Sequence, residues 1–328
     1  MAKWSRIGDW GILLACNFIW GIQFVFLKTV QREMGPLFAA WLPLALTSII
    51  LILIIRIQDH KSGFAGRPAK ISSHDLFAFV LLGVLGKGIS MVFGTWAVRL
   101  TLASDAALVN LSLPICTAVM AFFILGERMN TIRIASFVMA ILGVLLCSGV
   151  SLHGLDFSGR KILIGNAFCF LAVSASAFGN TYSKTMLDRF SVMRILLYMD
   201  GVGALFLFPL TLYLEPESFR NFIHFSAFAW TGLLFLTLMR NLVAVMLFLE
   251  VLKRLDATVA GLSHYLMPFF GIITSAMFLG EKFTGYMLLG GLVVLCSTLM
   301  TTLSEGKYKR EESGGVAAVA ENSSPGGL

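Results

Sequence analysis

The chain has 328 residues, of which 57% are hydrophobic and 13% charged. Soluble domains average about 45–50% apolar and about 25% charged residues, so this composition excludes a water-soluble globule. A formal net charge of +7 could indicate a nucleic-acid partner in a soluble protein. Here the basic residues lie mostly on one side of the predicted membrane spans, which explains the positive charge without a nucleic-acid partner. We therefore expect no nucleic-acid partner.

Ten apolar stretches are each long enough to cross the roughly 30 Å hydrocarbon core of a bilayer as a helix. They cover approximately 10–30, 36–57, 76–98, 104–125, 132–150, 162–183, 192–214, 226–249, 257–279 and 285–303. The sequence therefore predicts an all-α membrane protein with ten transmembrane helices. Residues 304–328 are rich in glycine, serine and charge, which predicts a disordered cytoplasmic tail.

The two halves of the chain resemble each other. Residues 99–148 align without gaps to 253–302 at a constant shift of 154, which pairs Pro114 with Pro268 and Glu127 with Glu281. Each half holds five predicted spans, and because five is odd the second half must enter the membrane from the opposite face. We expect two inverted five-helix repeats, over 1–150 and 151–303.

The basic residues indicate how the protein lies in the membrane. With both termini placed in the cytoplasm, that side collects 16 Lys and Arg residues and the opposite side collects 7. This bias follows the positive-inside rule. The sequence predicts a multi-pass protein with cytoplasmic N- and C-termini.

Several motifs resemble the drug/metabolite transporter superfamily, EamA type. They are the WG pair Trp20 and Gly21, Lys28 at the end of the first span, and a proline followed twelve residues later by GE in the fourth and ninth spans. The resemblance implies an inverted-repeat carrier of small metabolites in the plasma membrane, with a cavity lined by helices 1, 3, 4, 6, 8 and 9. Many relatives carry an arginine early in the second helix, where this chain reads AAWLPLAL over 39–46. That arginine's role cannot be transferred.

Two cations lie near the middle of predicted spans, Lys87 in the third and Arg240 in the eighth. Each would cost roughly 2.5–3.5 kcal/mol at the bilayer centre if it faced lipid, so we expect both in a polar cavity. Asp200 is the one carboxylate clearly inside a predicted span. One acid against two bases favours anion binding, with structural pairing of each cation as the alternative. Arg240 is the better bidentate ligand and Lys87 a point charge.

Polar residues near these cations complete the predicted substrate site. The 154-residue shift pairs Lys87 with Asn241, and it pairs Asn110 with His264, each one turn before a proline. Pro114 and Pro268 are predicted hinges, because a proline frees a backbone carbonyl one turn earlier. His264 has two alternatives, a hydrogen-bonded interior histidine or, with Asp200, a proton-coupling group.

Four further positions carry predictions. Trp20 and Gln23 share a helix face and are expected to form an aromatic and amide wall for substrate, with core packing as the alternative. Glu281, like its repeat counterpart, is interpreted as part of a tight turn before the next helix, with Thr284 as the helix N-cap.

These features together predict a secondary-active, alternating-access exporter of a small anionic or zwitterionic metabolite, such as an amino acid or organic acid. The alternative is a multidrug or lipophilic-cation exporter of the same superfamily, which would need an embedded carboxylate. The chain has no H-E-x-x-H, G-x-S-x-G or P-loop motif and no C-x-x-C pair, so we expect no enzyme activity, metal or cofactor. The expected partners are a small-molecule substrate and the lipid bilayer, with the protein a monomer or a homodimer.

Overall fold

A computed structural model describes residues 2–61, 71–125, 131–147, 157–187, 189–252, 264, 266–282, 284–297 and 300. Regular secondary structure in these ranges is helical throughout. The tail prediction for 304–328 falls outside the described residues, as does Glu127.

The described helices follow the predicted order. In the first half these are α1 (Ala2–Val30), α2 (Pro36–Lys61), α3 (Ser73–Leu100), α4 (Ala103–Val109, a 3₁₀ turn at Asn110–Ser112, then Leu113–Leu125) and α5 (Thr131–Cys147). In the second half they are α6 (Phe157–Lys184), α7 (Val192–Leu214), α8 (Ala227–Leu234, Phe235–Ala244 and Val245–Leu252), α9 (Leu266–Leu279) and α10 (Gly285–Ser297). A short helix at Pro216–Asn221 follows α7.

Seven of the described helices are long and apolar enough to cross a membrane, namely α1 to α4 and α6 to α8. The described parts of α5, α9 and α10 contain shorter apolar helices. The outward faces carry large exposed apolar side chains such as Leu53, Phe123 and Leu205. An all-helical membrane protein is therefore confirmed, while the count of ten spans stays a prediction.

Several helices extend beyond the apolar runs that predicted them. α1 is described from Ala2 and α3 from Ser73, where the runs begin near 10 and 76. At α3 the reason is a capping box: Ser72 Oγ accepts a hydrogen bond from Asp75 N at 3.2 Å, and Asp75 Oδ2 accepts one from Ser72 N at 2.9 Å. A helix ends where its backbone groups are capped, which need not be where lipid ends.

Close helix contacts surround the centre of the bundle. α1 packs against α9, α2 against α7, and α6 against α3 and α4. α3 crosses α6 at Gly86 and Gly179, where a Cβ added to Gly86 would lie 2.8 Å from the Gly179 Cα. Small residues of this kind let membrane helices approach closely. A central cavity lies between α1, α3, α4, α6, α7, α8 and the start of α9.

Candidate functional site

The central cavity has a volume of about 190 Å³ and brings the predicted substrate residues together. Ile195 and Met199 of α7 also line it, although helix 7 is not among the lining helices implied by the resemblance. The predicted residues that line the cavity are Trp20, Gln23, Lys87, Asn110, Arg240, Asn241 and His264.

Both embedded cations lie in π-helical segments, Leu82–Ile89 of α3 and Phe235–Ala244 of α8. The 154-residue shift carries the first segment onto 236–243, inside the second. π-helical turns are rare and occur frequently at functional sites. The sequence does not predict them, because a π turn depends on how neighbouring helices pack as well as on local residues.

The ammonium group of Lys87 is neutralised by a carboxylate. Lys87 Nζ lies 3.1 Å from Asp200 Oδ1 on α7, and both side chains are buried. Asp200 is fully buried and is not among the described lining residues. For Lys87 the structure therefore has the structural pairing that the sequence left as the alternative.

Arg240 has a different environment. Its Nε donates a hydrogen bond to Gln23 Oε1, and its Nη1 lies 3.3 Å from both Met91 Sδ and Asn241 Oδ1. The half-buried guanidinium faces the cavity, and among the described residues no carboxylate forms an ion pair with it. Lys87, Asp200 and Arg240 together leave the centre with one net positive charge.

Asn241 adds a donor beside this guanidinium. Its side chain is 1% exposed, and its Nδ2 has no hydrogen-bond partner among the described atoms. A buried donor without a partner loses free energy that a ligand acceptor can restore. Arg240 and Asn241 can therefore bind an oxyanion from the cavity.

Aromatic rings form a wall of the cavity close to His264. The Trp20 and His264 rings are stacked with centroids 5.4 Å apart, and Phe248 meets His264 edge to face at 5.0 Å. The structure thus brings Trp20 and His264 into direct contact, although they are far apart in the sequence. This wall can pack against an apolar part of a bound molecule.

One turn before each predicted hinge proline, the backbone carbonyl that was expected to be free accepts a hydrogen bond. The Asn110 carbonyl accepts a hydrogen bond from Leu113 N, and the His264 carbonyl accepts one from Met267 N at 3.2 Å. In both cases the donor is the backbone N–H of the residue before the proline, so the proline does not leave that carbonyl free. Both prolines follow a tight turn at equivalent positions of the repeat, and their hinge function stays a prediction.

Asn110 is also held by its side chain. Its Nδ2 donates to the Ala106 carbonyl at 2.8 Å and lies 3.6 Å from Cys169 Sγ. The side chain thus contacts α4 and α6 while it lines the cavity.

The Gly280–Glu281 motif does more than make a tight turn. Gly280 follows the last residue of α9 with φ of +65°, a conformation that favours glycine. Glu281 then accepts hydrogen bonds from Ala103 N and Ser104 N at 2.9 Å and from Ser104 Oγ at 2.7 Å. The carboxylate therefore caps α4 of the other half rather than acting within its own turn.

The N-cap prediction for α10 is confirmed. Thr284 Oγ1 accepts a hydrogen bond from Met287 N at 3.3 Å.

Other contacts close the same end of the bundle, which we call the sealed end. Glu215 accepts hydrogen bonds from Leu37 N at 3.0 Å and Phe38 N at 2.8 Å, and so caps α2. Burial raises the pKa of the Glu215 carboxyl, while these backbone donors oppose the rise. Two side chains reach across to neighbouring carbonyls, Lys28 to that of Thr101 and Arg99 to that of Gln31.

A helical bundle with apolar outer faces around a charged central cavity defines a polytopic membrane protein with an internal polar site. The profile of the EamA-like transporter family matches residues 6–149 and 163–303. The chain belongs to this family of transporters, and the resemblance seen in the sequence is confirmed.

Relatives along nearly the whole chain are named as transporters. The transporter YoaV of Bacillus subtilis (strain 168) is 22% identical over 298 residues, which cover 90% of this chain and 97% of that one. A protein of Salmonella typhimurium (strain LT2) named "Probable amino-acid metabolite efflux pump" is 26% identical, over 88% of this chain and 92% of its own. Its namesake in Escherichia coli (strain K12) is 25% identical with the same coverage.

A solved crystal structure shares the fold. It superposes with a TM-score of 0.61 at 14% sequence identity and covers 90% of this chain and 96% of that chain. At this identity the likeness concerns the fold alone.

Proposed function

We propose that this transporter is a secondary-active exporter of a small anionic or zwitterionic metabolite, such as an amino acid or organic acid. The observation that carries the proposal is the charge balance of the cavity. Lys87 is paired with Asp200, whereas Arg240 faces the cavity and is held by neutral groups. A carboxylate on the substrate would neutralise the charge of Arg240, because guanidinium and carboxylate match in geometry and charge.

The relatives support the amino-acid class. Two of them are named for the efflux of amino-acid metabolites. An amino acid presents a carboxylate for Arg240 and Asn241 and a side chain for the wall of Trp20, His264 and Phe248.

Transport would proceed by alternating access between two inverted five-helix repeats, 1–150 and 151–303, which make ten transmembrane helices. The repeated sequence, the equivalent π-helical segments and the two stretches matched by the family profile support this arrangement. Pro114 and Pro268 would be its bending points. The 16-to-7 bias of basic residues supports a plasma-membrane protein with cytoplasmic termini, so the sealed end would face outward.

Proteoliposomes test this proposal directly. Vesicles containing the full chain are offered L-leucine, L-glutamate, citrate, glucose 6-phosphate and tetraphenylphosphonium, with and without an imposed pH gradient. We expect transport of at least one carboxylate, with loss of that transport in Arg240→Gln while the variant stays monodisperse. Uptake of tetraphenylphosphonium that survives Arg240→Gln would instead favour the cation exporter.

The pH gradient separates the coupling mechanisms. If protons drive transport, reversal of the gradient reverses net flux, and Asp200 and His264 are the groups to substitute. Equal fluxes under both gradients would contradict proton coupling by either residue.

A further inference from the structure

We infer that Gln23 determines the charge selectivity of the cavity, because it positions Arg240 without neutralising it. Gln23 acts through Arg240 and is a positioning residue. The inference rests on the proposed function and deepens it, since it makes the ligand group a carboxylate bound by Arg240 and Asn241.

Among the described residues, the hydrogen bonds of Arg240 are all with neutral acceptors. Nε donates to the Gln23 amide oxygen, and Nη1 approaches a thioether and a second amide at 3.3 Å. Arg189, by contrast, pairs directly with the carboxylate of Asp75 at 2.7 Å. Asp200 attracts the Arg240 guanidinium at longer range but pairs directly with Lys87, so most of the charge of Arg240 is left for a ligand.

Glutamine and glutamate have nearly the same shape, so the choice of side chain at position 23 changes charge with little change in packing. A glutamate at this position would make a charge-assisted hydrogen bond with the guanidinium and cancel it. With Lys87 already paired to Asp200, neither cation would then be available to a ligand carboxylate. The side chain at position 23 therefore decides whether the cavity presents an unpaired cation to the ligand.

The Gln23 contact also orients the guanidinium. With Nε engaged by Gln23, the Nη groups are left for a ligand, and Nη1 makes only 3.3 Å contacts among the described atoms. Asn241 is the next residue in the sequence, and its Nδ2 is buried without a hydrogen-bond partner among the described atoms. These donors together suit the two oxygens of one carboxylate.

The test compares L-leucine with L-leucinamide, which differ in the carboxylate alone. Binding to the purified full chain in detergent is followed by ligand-induced thermal stabilisation and intrinsic tryptophan fluorescence. Wild type is expected to bind leucine about 10-fold or more tightly than leucinamide, the size of effect that a charged hydrogen bond gives. Gln23→Glu should abolish that preference.

Two further variants separate positioning from general electrostatics. Asn180→Asp makes the same amide-to-acid change at another cavity-lining position and should keep the preference for leucine. Gln23→Met keeps the length without a strong acceptor and should weaken leucine binding several-fold while its preference over leucinamide persists. Equal behaviour of Gln23→Glu and Asn180→Asp would overturn the inference, as would an unchanged preference in Gln23→Glu.

Chemical modification tests the same contact without any substrate. Phenylglyoxal reacts with arginine side chains, and the modified Arg240 peptide is quantified by mass spectrometry. Gln23→Glu should slow the modification several-fold, and Asn180→Asp should not. If wild type carries no carboxylate in vesicles but this modification pattern holds, the proposed function fails while the positioning role of Gln23 stands; an unchanged rate in Gln23→Glu refutes that role.

Discussion

Lys87 and Arg240 look alike in the sequence, as single cations at matching depths of two related helices. The structure gives them different partners, a carboxylate for Lys87 and a glutamine for Arg240. A buried ion pair gains little over a well-packed apolar pair, but removal of one partner leaves a charge without compensation. Removal of the partner of Lys87 is therefore expected to affect folding, whereas Arg240 has no such ion-pair partner among the described residues.

The Lys87–Asp200 pair yields a prediction about stability. Asp200→Asn should reduce the free energy of unfolding by about 3–5 kcal/mol, since it leaves a buried ammonium uncompensated. The double variant Lys87→Met/Asp200→Leu should recover most of that loss. Denaturant unfolding in micelles measures both.

The matched control for that pair is more exposed. Arg194 and Asp59 are 3.6 Å apart with side chains 22% and 50% exposed, so Asp59→Asn should cost at most about 1 kcal/mol. Equal stability of Asp200→Asn and wild type would contradict a structural role for the pair.

Glu33 gives a prediction about pH. Hydrogen bonds from the Ser226 hydroxyl and backbone lower the pKa of this exposed carboxyl between α1 and α2. Its stabilising effect is therefore present above the unfolded value of about 4.3 and is lost as pH falls through the lower folded pKa. Thermal unfolding between pH 3 and pH 6 should show a weaker pH dependence in Glu33→Gln than in wild type. Parallel curves would contradict the prediction.

Among the helices, the contact of α3 with α6 is the most sensitive to size. The π-helical segment of α3 contains Gly86, and its contact with Gly179 leaves no space for a methyl group. Gly86→Ala should destabilise the protein by about 1–3 kcal/mol through overpacking. It should also reduce substrate binding, because Gly86 itself lines the cavity.

Gly94 provides the control on the same helix. A Cβ there would lie 3.6 Å from the Ala172 Cβ, an ordinary contact, although Gly94 also lines the cavity. The free energy of unfolding of Gly94→Ala should therefore lie within about 0.5 kcal/mol of that of wild type, as for other substitutions without a steric conflict. A similar loss in both variants would show that glycine content, and not the helix contact, matters.

At the scale of the whole molecule, hydrogen bonds between the two halves close the sealed end. Glu281 caps α4 from the second half, and Glu215 caps α2 in the same way. Carboxylates at helix N-termini are favoured by the helix dipole as well as by hydrogen bonds. In an alternating-access carrier such contacts must break when this end opens.

Cysteine labelling measures that opening. In a variant that keeps Cys169, which lines the cavity, and no other cysteine, Glu281→Ala should label several-fold faster with a membrane-impermeant thiol reagent added on the sealed-end side. Glu217→Ala is the control, because Glu217 pairs with Arg220 in an exposed position beyond α7. Equal labelling rates in the two variants would contradict a gating role for Glu281.

Much of the site could be predicted from the sequence because it depends on the free-energy cost of exposing individual residues to lipid. A cation in an apolar run must find a polar environment, so Lys87 and Arg240 could be placed in a cavity before any contact was known. The repeat similarly predicted that Asn110 and His264 would lie at related positions, and both line the cavity. The sequence left the pairing of Lys87 with Asp200 as an alternative, whereas the capping of α4 by Glu281 and the lining residues of α7 were missed.

The sequence by itself determined the class of protein, the order of the helices and the residues that cannot face lipid, because hydrophobicity acts residue by residue along each helix. The tertiary structure alone decided which of the two cations is neutralised, which amide holds the other, and which helix each acidic loop residue caps. Those choices join groups more than a hundred residues apart, from α3 to α7 and from α1 to α8. Distance and orientation between packed helices fix them, and neither is written in the spacing of residues along one chain segment.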